Sequence, residues 1–313
     1  MDVSLQNRIL HYKSEYPGWG AKMIVNELIQ QDNYGQSTLP SLRTINRFLE
    51  SHQKTVSYET HHPLTNPNIP EAKSAHDFWQ MDDKGPELYE GLGYIGMINI
   101  KDVKSRVYVC STAINLPHTR SHPDTTDYQY ALRMAFNEFG LPKAIQSDRG
   151  SNFYENKSKS PFPTTLHLWL LGLGVDLSWA NSYRPTEQGI VERSHEITHQ
   201  QNWRSSGYKN IQHFQEHVND RRKQLNRHIS CDTLGKPPLV AYPQAIHSAR
   251  FYNPLEERKL FDPTRIDAYL AQQKWYRKVS SAKTVSIGGQ VYYLSKAKKK
   301  PNSLLLMIAQ SNI

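Results

Sequence analysis

The sequence predicts a mixed α/β chain: a core of sheet and helices, with a helical segment on its N-terminal side and a small basic β-rich segment on its C-terminal side. Three observations carry this. The 313 residues fall into three compositional regimes with no internal repeat. In the middle regime, strand-like runs come first and helical and strand patterns then alternate. Acidic residues stand where two of those strands give way to loops. The length suits one sizeable core plus small modules, since domains cluster at roughly 100–200 residues.

Residues 1–52 read as helical, with Ile9 and Leu10 in a first segment and Met23, Ile24 and Leu28 at helical spacing after Pro17-Gly18. A short helix opens near Pro40, with Ser41 as its cap; Leu42, Ile45 and Leu49 share one face, and Arg43, Thr44, Asn46 and Arg47 the other. Residues 53–74, with Pro63, Pro67, Pro70 and the pair His61-His62, read as an extended polar linker.

From Ala75 the pattern turns to strands. The run 78–81 ends on Asp82-Asp83, and the runs 94–100 and 106–113 are joined by a polar hairpin connection, Lys101-Asp102-Val103-Lys104. Tyr128, Leu132, Ala135, Phe136 and Phe139 then recur at helical spacing, with Gly140 where a C-cap belongs. A short strand over 143–147 delivers Asp148, followed by a helix near 165–171, a strand over 175–179 and a helix over 189–203. Three strands, then helix–strand–helix–strand–helix, is the element order of an RNase H-like α/β domain, here spanning 75–245. Residues 246–313 form a connector and a β-rich tail with a Gly288-Gly289 hairpin. Eight Lys/Arg and no acid fall within 271–300, and Lys298, Lys299 and Lys300 are candidates for nonspecific phosphate contacts.

Thirty-eight Lys+Arg against twenty-nine Asp+Glu give a net charge of +9, a balance that suits a polyanionic partner without proving one. Two cysteines, Cys110 and Cys231, exclude a disulfide framework and a multi-cysteine zinc site. No apolar run approaches the roughly 18 residues of a membrane span, and the N-terminus has no apolar signal core. The expectation is a soluble protein of a reducing cytoplasm.

Phosphoryl transfer on DNA requires mainly two divalent cations roughly 3.5–4 Å apart, and Mg²⁺ prefers hard carboxylate oxygens. Convergent acids are therefore the chemistry to seek. Asp82 follows Trp79-Gln80-Met81; Asp148 opens Asp148-Arg149-Gly150-Ser151-Asn152-Phe153; Glu192 lies one turn into a helix, in Gly189-Ile190-Val191-Glu192-Arg193. Strand alternation allows only one of Asp82 and Asp83 on the active face, and Asp83 stands as the alternative. Asp148 also fits a turn Asp before Gly150, and Glu192 a solvent-facing helix acid that shares its face with Glu196. Arg193 and His195 are candidates to touch phosphate or orient water, or are plain surface residues. Gly150 and Gly189 would allow close backbone approach to DNA, and Trp79 reads as core.

Trp-x-x-Asp, Ser-Asp-x-Gly-x-x-Phe and Pro-x-x-x-Gly-x-Val-Glu-Arg, in this order, resemble the catalytic core of the DDE-type transposase/integrase superfamily, which holds retroviral integrases and bacterial insertion-sequence transposases. The resemblance covers residues 75–245, and Tyr16-Pro17-Gly18-Trp19-Gly20 extends it toward insertion-sequence transposases. Two departures stand out. The Asp148–Glu192 separation exceeds the family's commonest spacing, with extra length in the polar 154–160 stretch, and Arg149 replaces a frequent Asn.

The resemblance implies a triad of Asp82, Asp148 and Glu192 holding two Mg²⁺ ions, with Mn²⁺ able to substitute. It also implies cleavage at mobile-element DNA ends, strand transfer into target DNA without a covalent protein intermediate, and a homo-oligomer on double-stranded DNA; need for a helper ATPase stays open. The N-terminal helices resemble a helix-turn-helix, with Arg43, Thr44, Asn46 and Arg47 facing the major groove. The basic tail resembles a small SH3-like module. Two rivals remain: an RNase H-like nuclease or resolvase, and a domesticated, non-catalytic DNA-binding protein.

Overall fold

The computed structural model describes residues 1–52, 54, 71–117, 120–155, 161–180, 189–202, 204, 207–273, 275–294 and 304–307. Most of the expected linker, residues 156–160 of the long spacer, residues 181–188, Trp203, and Lys298, Lys299 and Lys300 lie outside the described residues.

Three helices come first: α1 (Val3–Glu15), α2 (Ala21–Gln30) and α3 (Leu42–Ser51). Asp2 caps α1 by accepting from the Ser4 N–H, and Ser41 caps α3 by accepting from the Thr44 N–H. Ile45 and Leu49 are buried as their spacing predicts, whereas Leu42 is exposed because α3 reaches the apolar cluster only through its later turns.

The sheet has the order β3-β2-β1-β4-β5, built from β1 (Phe78–Tyr89), β2 (Gly93–Asp102), β3 (Tyr108–Asn115), β4 (Ala144–Ser147) and β5 (Asp176–Trp179). The first three strands are antiparallel neighbours; β4 runs parallel to β1, and β5 to β4. α4 (Thr125–Phe139) connects β3 to β4 and α5 (Thr165–Gly172) connects β4 to β5; α6 (Gly189–Asn202) and α7 (Ile211–Arg227) follow. This is the mixed sheet expected of an RNase H-like core.

Alternation along β1 sorts the two faces. Trp79 and Met81 join Ile98 and Ile100 of β2 in the main core with Tyr128, Leu132 and Phe136 of α4 and Leu170 of α5. Gln80 and Asp82 point the other way, toward α6. All five residues that predicted α4 are buried, and Gly140 ends that helix at φ 74°, where a Cβ would meet the Ser248 hydroxyl at 2.4 Å.

One expectation needs correction. β1 does not end at Asp82 but runs on to Tyr89, because β2 pairs with it along its whole length. The polar β2–β3 hairpin connection is packed inside. Lys101, Asp102 and Ser105 are buried, and Asp102 accepts from the His76 N–H (2.7 Å), the Ser105 N–H (2.7 Å) and the Ser105 hydroxyl (2.6 Å). The carboxylate replaces water for backbone donors, so polar residues close this hairpin from within.

β3 is an edge strand, and α7 covers its open backbone groups. The Gln215 amide accepts from the Ala113 N–H and donates to the Ser111 carbonyl; the Asn226 amide does the same for both groups of Tyr108. The Arg222 guanidinium donates to the Tyr108 and Val109 carbonyls.

The N-terminal helices dock on the same side. Trp19 is fully buried, and its indole N–H donates to the Gln201 carbonyl of α6 at 3.2 Å. Arg221 of α7 lies over the Trp19 ring and pairs with Glu27 of α2 at 2.8 Å, both side chains buried. Leu225 and Ile229 complete one apolar cluster with α1, α2 and α3.

Past the expected end of the core, packing continues. α8 (Pro238–Ala241), two 3₁₀ turns (Pro243–Ile246 and Pro254–Glu256), α9 (Glu257–Leu260) and α10 (Pro263–Ala271) follow. Tyr252 belongs to the main core, Phe261 packs on it, and Glu257 holds Arg133 and the Trp169 indole N–H. Beyond lie two separate two-stranded ladders: β6 (Trp275–Lys278) with β9 (Leu304–Met307), and β7 (Thr284–Ile287) with β8 (Gln290–Tyr293), the latter turning on Gly288 and Gly289 at φ 57° and 80°.

The Glu27–Arg221 pair makes a stability prediction. Arg221→Met strands a buried carboxylate, so global stability should fall by about 3–5 kcal/mol, read from chemical denaturation. The double variant Glu27→Leu/Arg221→Met should recover most of that loss. A single variant as stable as the parent would contradict the docking described.

Candidate active site

Gln80 and Gln146 form the last rung of the parallel β1–β4 ladder, and their side chains meet there at 2.9 Å. Asp82 and Asp148 each follow two residues later: Asp82 continues the alternation of β1, and Asp148 stands just past the carboxyl end of β4. Here β4 stops at Ser147 while β1 continues alone against β2. The carboxyl ends of parallel strands are where open α/β sheets receive ligands. Glu192 arrives from the same side, in the first turn of α6, which packs across β1 and β2.

Asp83 faces the opposite way. It accepts from the Tyr128 hydroxyl of α4 and contacts His122 at 3.2 Å. Alternation thus separates the two neighbouring acids: Asp82 faces α6, where His195 meets it, and Asp83 is engaged by α4, while Asp148 feels the charge of both.

The acids share an electrostatic field. Asp148 is held above the ordinary carboxylate range by partial withdrawal from water and by the charges of Asp82 and Asp83, against the Gly150 N–H, which donates to its Oδ1 at 2.8 Å. Glu192 is likewise raised, first by partial withdrawal from water and then by Asp82. None of the three pairs with a lysine or arginine among the described residues. Like charges held together without a counter-ion favour a proton or a bound cation.

The donor set fits a divalent ion in kind: hard oxygens on strand ends and a facing helix, lacking only positive charge. Among the described residues no three of His, Cys, Asp and Glu already stand close enough to ligate one ion together. The shared field brings the acids into one neighbourhood; it does not bring them into contact.

A buried polar chain positions Asp82. The Ser111 hydroxyl donates to the Asn99 Oδ1 at 2.7 Å, and Asn99 Nδ2 donates to His195 Nδ1 at 2.8 Å. With the amide so oriented, the imidazole proton sits on Nε2, which donates to Asp82 Oδ2 at 3.1 Å. Thr198, one turn along α6, also reaches Asn99 Oδ1 at 3.5 Å. Sequence reasoning reached His195 but missed Asn99, Ser111 and Thr198. The signal for Asn99 was there: a lone amide between Ile98 and Ile100 in the otherwise apolar run from Ile95 to Ile100.

The remaining candidates are dispersed. Arg43, Thr44, Asn46 and Arg47 line the exposed face of α3, with Thr44 also bonded to the Ser41 cap. Arg193 is exposed and pairs with Glu196 along α6. Trp79 is fully buried, its indole N–H donating to His76, and is core as expected.

A charge substitution tests this shared field directly. Asp82→Asn should lower the carboxyl pKa values of both Asp148 and Glu192, followed by ¹³C NMR titration without metal. Unchanged titration of both would show that the acids do not share a neighbourhood.

No family model and no curated protein matches the chain. Solved structures do resemble it. The HTLV-2 integrase catalytic core domain in complex with magnesium has 15% identity and a TM-score of 0.39, covering 55% of this chain and 99% of that one. A simian T-cell lymphotropic virus intasome in complex with the PP2A regulatory subunit B56 gamma has 14% identity and a TM-score of 0.43, covering 92% of this chain and 90% of that one. The catalytic core domain of BIV integrase has 16% identity and a TM-score of 0.34, covering 54% and 95%. Likenesses of this grade assign neither residues nor an activity to the chain.

Proposed function

We propose that the chain is a polynucleotidyl transferase of the DDE transposase/integrase type, cutting DNA at the ends of a mobile element and joining those ends to target DNA. The observation that supports this reading is that Asp148 and Glu192 both lie within reach of the Asp82 charge, which adds to burial in raising the proton affinity of each. The order of three motifs along the sequence supports it independently.

In this reading the three acids hold Mg²⁺, which supplies Lewis-acid activation of the attacking oxygen and stabilises the leaving one. The protein's own part is placement. His195 fixes the Asp82 carboxylate, itself held by Asn99 and Ser111, and the Gly150 N–H fixes Asp148. Water frees a 3′-hydroxyl in the first step, and that hydroxyl attacks the target phosphodiester in the second, in the same site. The exposed face of α3, with Arg43, Thr44, Asn46 and Arg47, reads element-end DNA as the second helix of a helix-turn-helix. The β-rich segment, with Lys298, Lys299 and Lys300, serves as a small SH3-like module adding salt-sensitive phosphate contacts. Joining two ends calls for a homo-oligomer on DNA.

The test uses the full chain, Mg²⁺ and duplexes carrying the flanking genomic ends. Asp82→Ala, Asp148→Ala and Glu192→Ala should each lower cleavage and joining by about 10²–10³-fold or more, the scale of losing a charge-stabilising group at a reacting centre. DNA binding should persist in all three. Normal turnover in any variant would overturn the triad, and cleavage without joined products would favour a nuclease.

A further inference from the structure

A cavity lies apart from the carboxylates; none of Asp82, Asp148 and Glu192 lines it. It has a volume of about 390 Å³ and is enclosed by α2, the end of β2, the β2–β3 turn, the start of α6 and the segment after α7. Four cationic residues face it, Lys22, Lys101, Arg106 and Arg193, against one acid, Asp232.

The balance of partners is uneven. Lys22 pairs with Asp232 at 3.0 Å, and Arg193 pairs with Glu196. Lys101 and Arg106 have no acidic partner among the described residues. Lys101 is only 5% exposed, its ammonium resting over the Tyr108 ring at 4.0 Å. Arg106 has a buried Nη1 without a hydrogen-bond partner. Burial pushes the Lys101 ammonium down to about 8, with the Arg106 and Arg193 charges adding to the effect, and it lowers Arg106 as well.

A buried cation without a counter-charge is costly, and one aromatic face offsets little of that cost. The buried Lys101 ammonium, with the half-buried Arg106 guanidinium beside it and only partly balanced by Asp102, makes the cavity favourable for an anion. We infer that this cavity is a binding site for a phosphate group, held by Lys101 and Arg106. A guanidinium offers a planar donor pair to phosphate oxygens and an ammonium a point charge, a combination suited to a tetrahedral dianion. The enclosed position of Lys101 excludes the side of an intact duplex. The phosphate is therefore carried by a small molecule or by the 5′ end of a strand. Such a ligand would touch Arg193, next to Glu192 on α6, and so bear on the helix that carries one of the three acids.

The experiment measures binding to the full chain by isothermal titration at constant ionic strength, without divalent metal. The probes are inorganic phosphate, a nucleoside monophosphate, and a short single-stranded oligonucleotide with either a 5′-phosphate or a 5′-hydroxyl. Saturable binding of phosphate-bearing probes is expected, and Lys101→Met should weaken it at least tenfold. Arg106→Gln should do the same, providing a second variant should the first fail to fold. Preference for the 5′-phosphorylated oligonucleotide identifies a strand end, and preference for the free phosphates a small ligand. Failure of all phosphate probes to bind, or equal binding by parent and variants, overturns the proposal. The same measurement on Asp82→Asn should give unchanged binding, which keeps this site's test independent of the strand-transfer reading.

Discussion

Asp82 repels both Asp148 and Glu192, and the fold supplies the rigidity that this repulsion would otherwise defeat. Flexible loops would let Asp82, Asp148 and Glu192 move apart. Here Asp82 is fixed in the middle of a long strand, Asp148 follows the last residue of its parallel neighbour, and Glu192 projects from a helix packed across both β1 and β2. The raised proton affinity of Asp148 and Glu192 comes first from partial burial, to which the Asp82 charge adds.

The supports extend outward in layers. The imidazole of His195 braces Asp82, Asn99 sets the imidazole's tautomer, and Ser111 of β3 sets the Asn99 amide. α7 seals the open edge of β3 with two side-chain amides and a guanidinium, so the sheet ends in satisfied hydrogen bonds. The N-terminal helices then lock onto α6 and α7 through Trp19, Glu27 and Arg221. The exposed face of α3 thus stands on the same framework as the carboxylates, a direct mechanical link between a candidate DNA-reading surface and the chemistry.

Much of this was legible in the amino-acid sequence. The helical recurrence of Tyr128, Leu132, Ala135, Phe136 and Phe139 marked a helix whose five recurring positions are all buried, and strand alternation required Asp82 and Asp83 to face opposite ways, as they do. Local patterns failed where tertiary contacts decide. The burial of Asp102 in its polar hairpin was not legible, because its partners, the His76 and Ser105 backbone amides, include one 26 residues away. β1 read as ending at its acids because polar residues suggested a loop, whereas pairing with β2 sustains the strand to Tyr89. The docking of α2 on α7 spans nearly 200 residues of sequence, as the separation of 194 between Glu27 and Arg221 shows, and no periodicity encodes it.

Anomalous scattering from Mn²⁺ in crystals of the full chain tests the central claim most directly, since Mn²⁺ stands in for Mg²⁺ and can be located unambiguously. The account predicts manganese bonded at roughly 2.0–2.2 Å to Asp82 and to at least one of Asp148 and Glu192. Manganese held by Asp83 instead, or found at none of these acids, would contradict it.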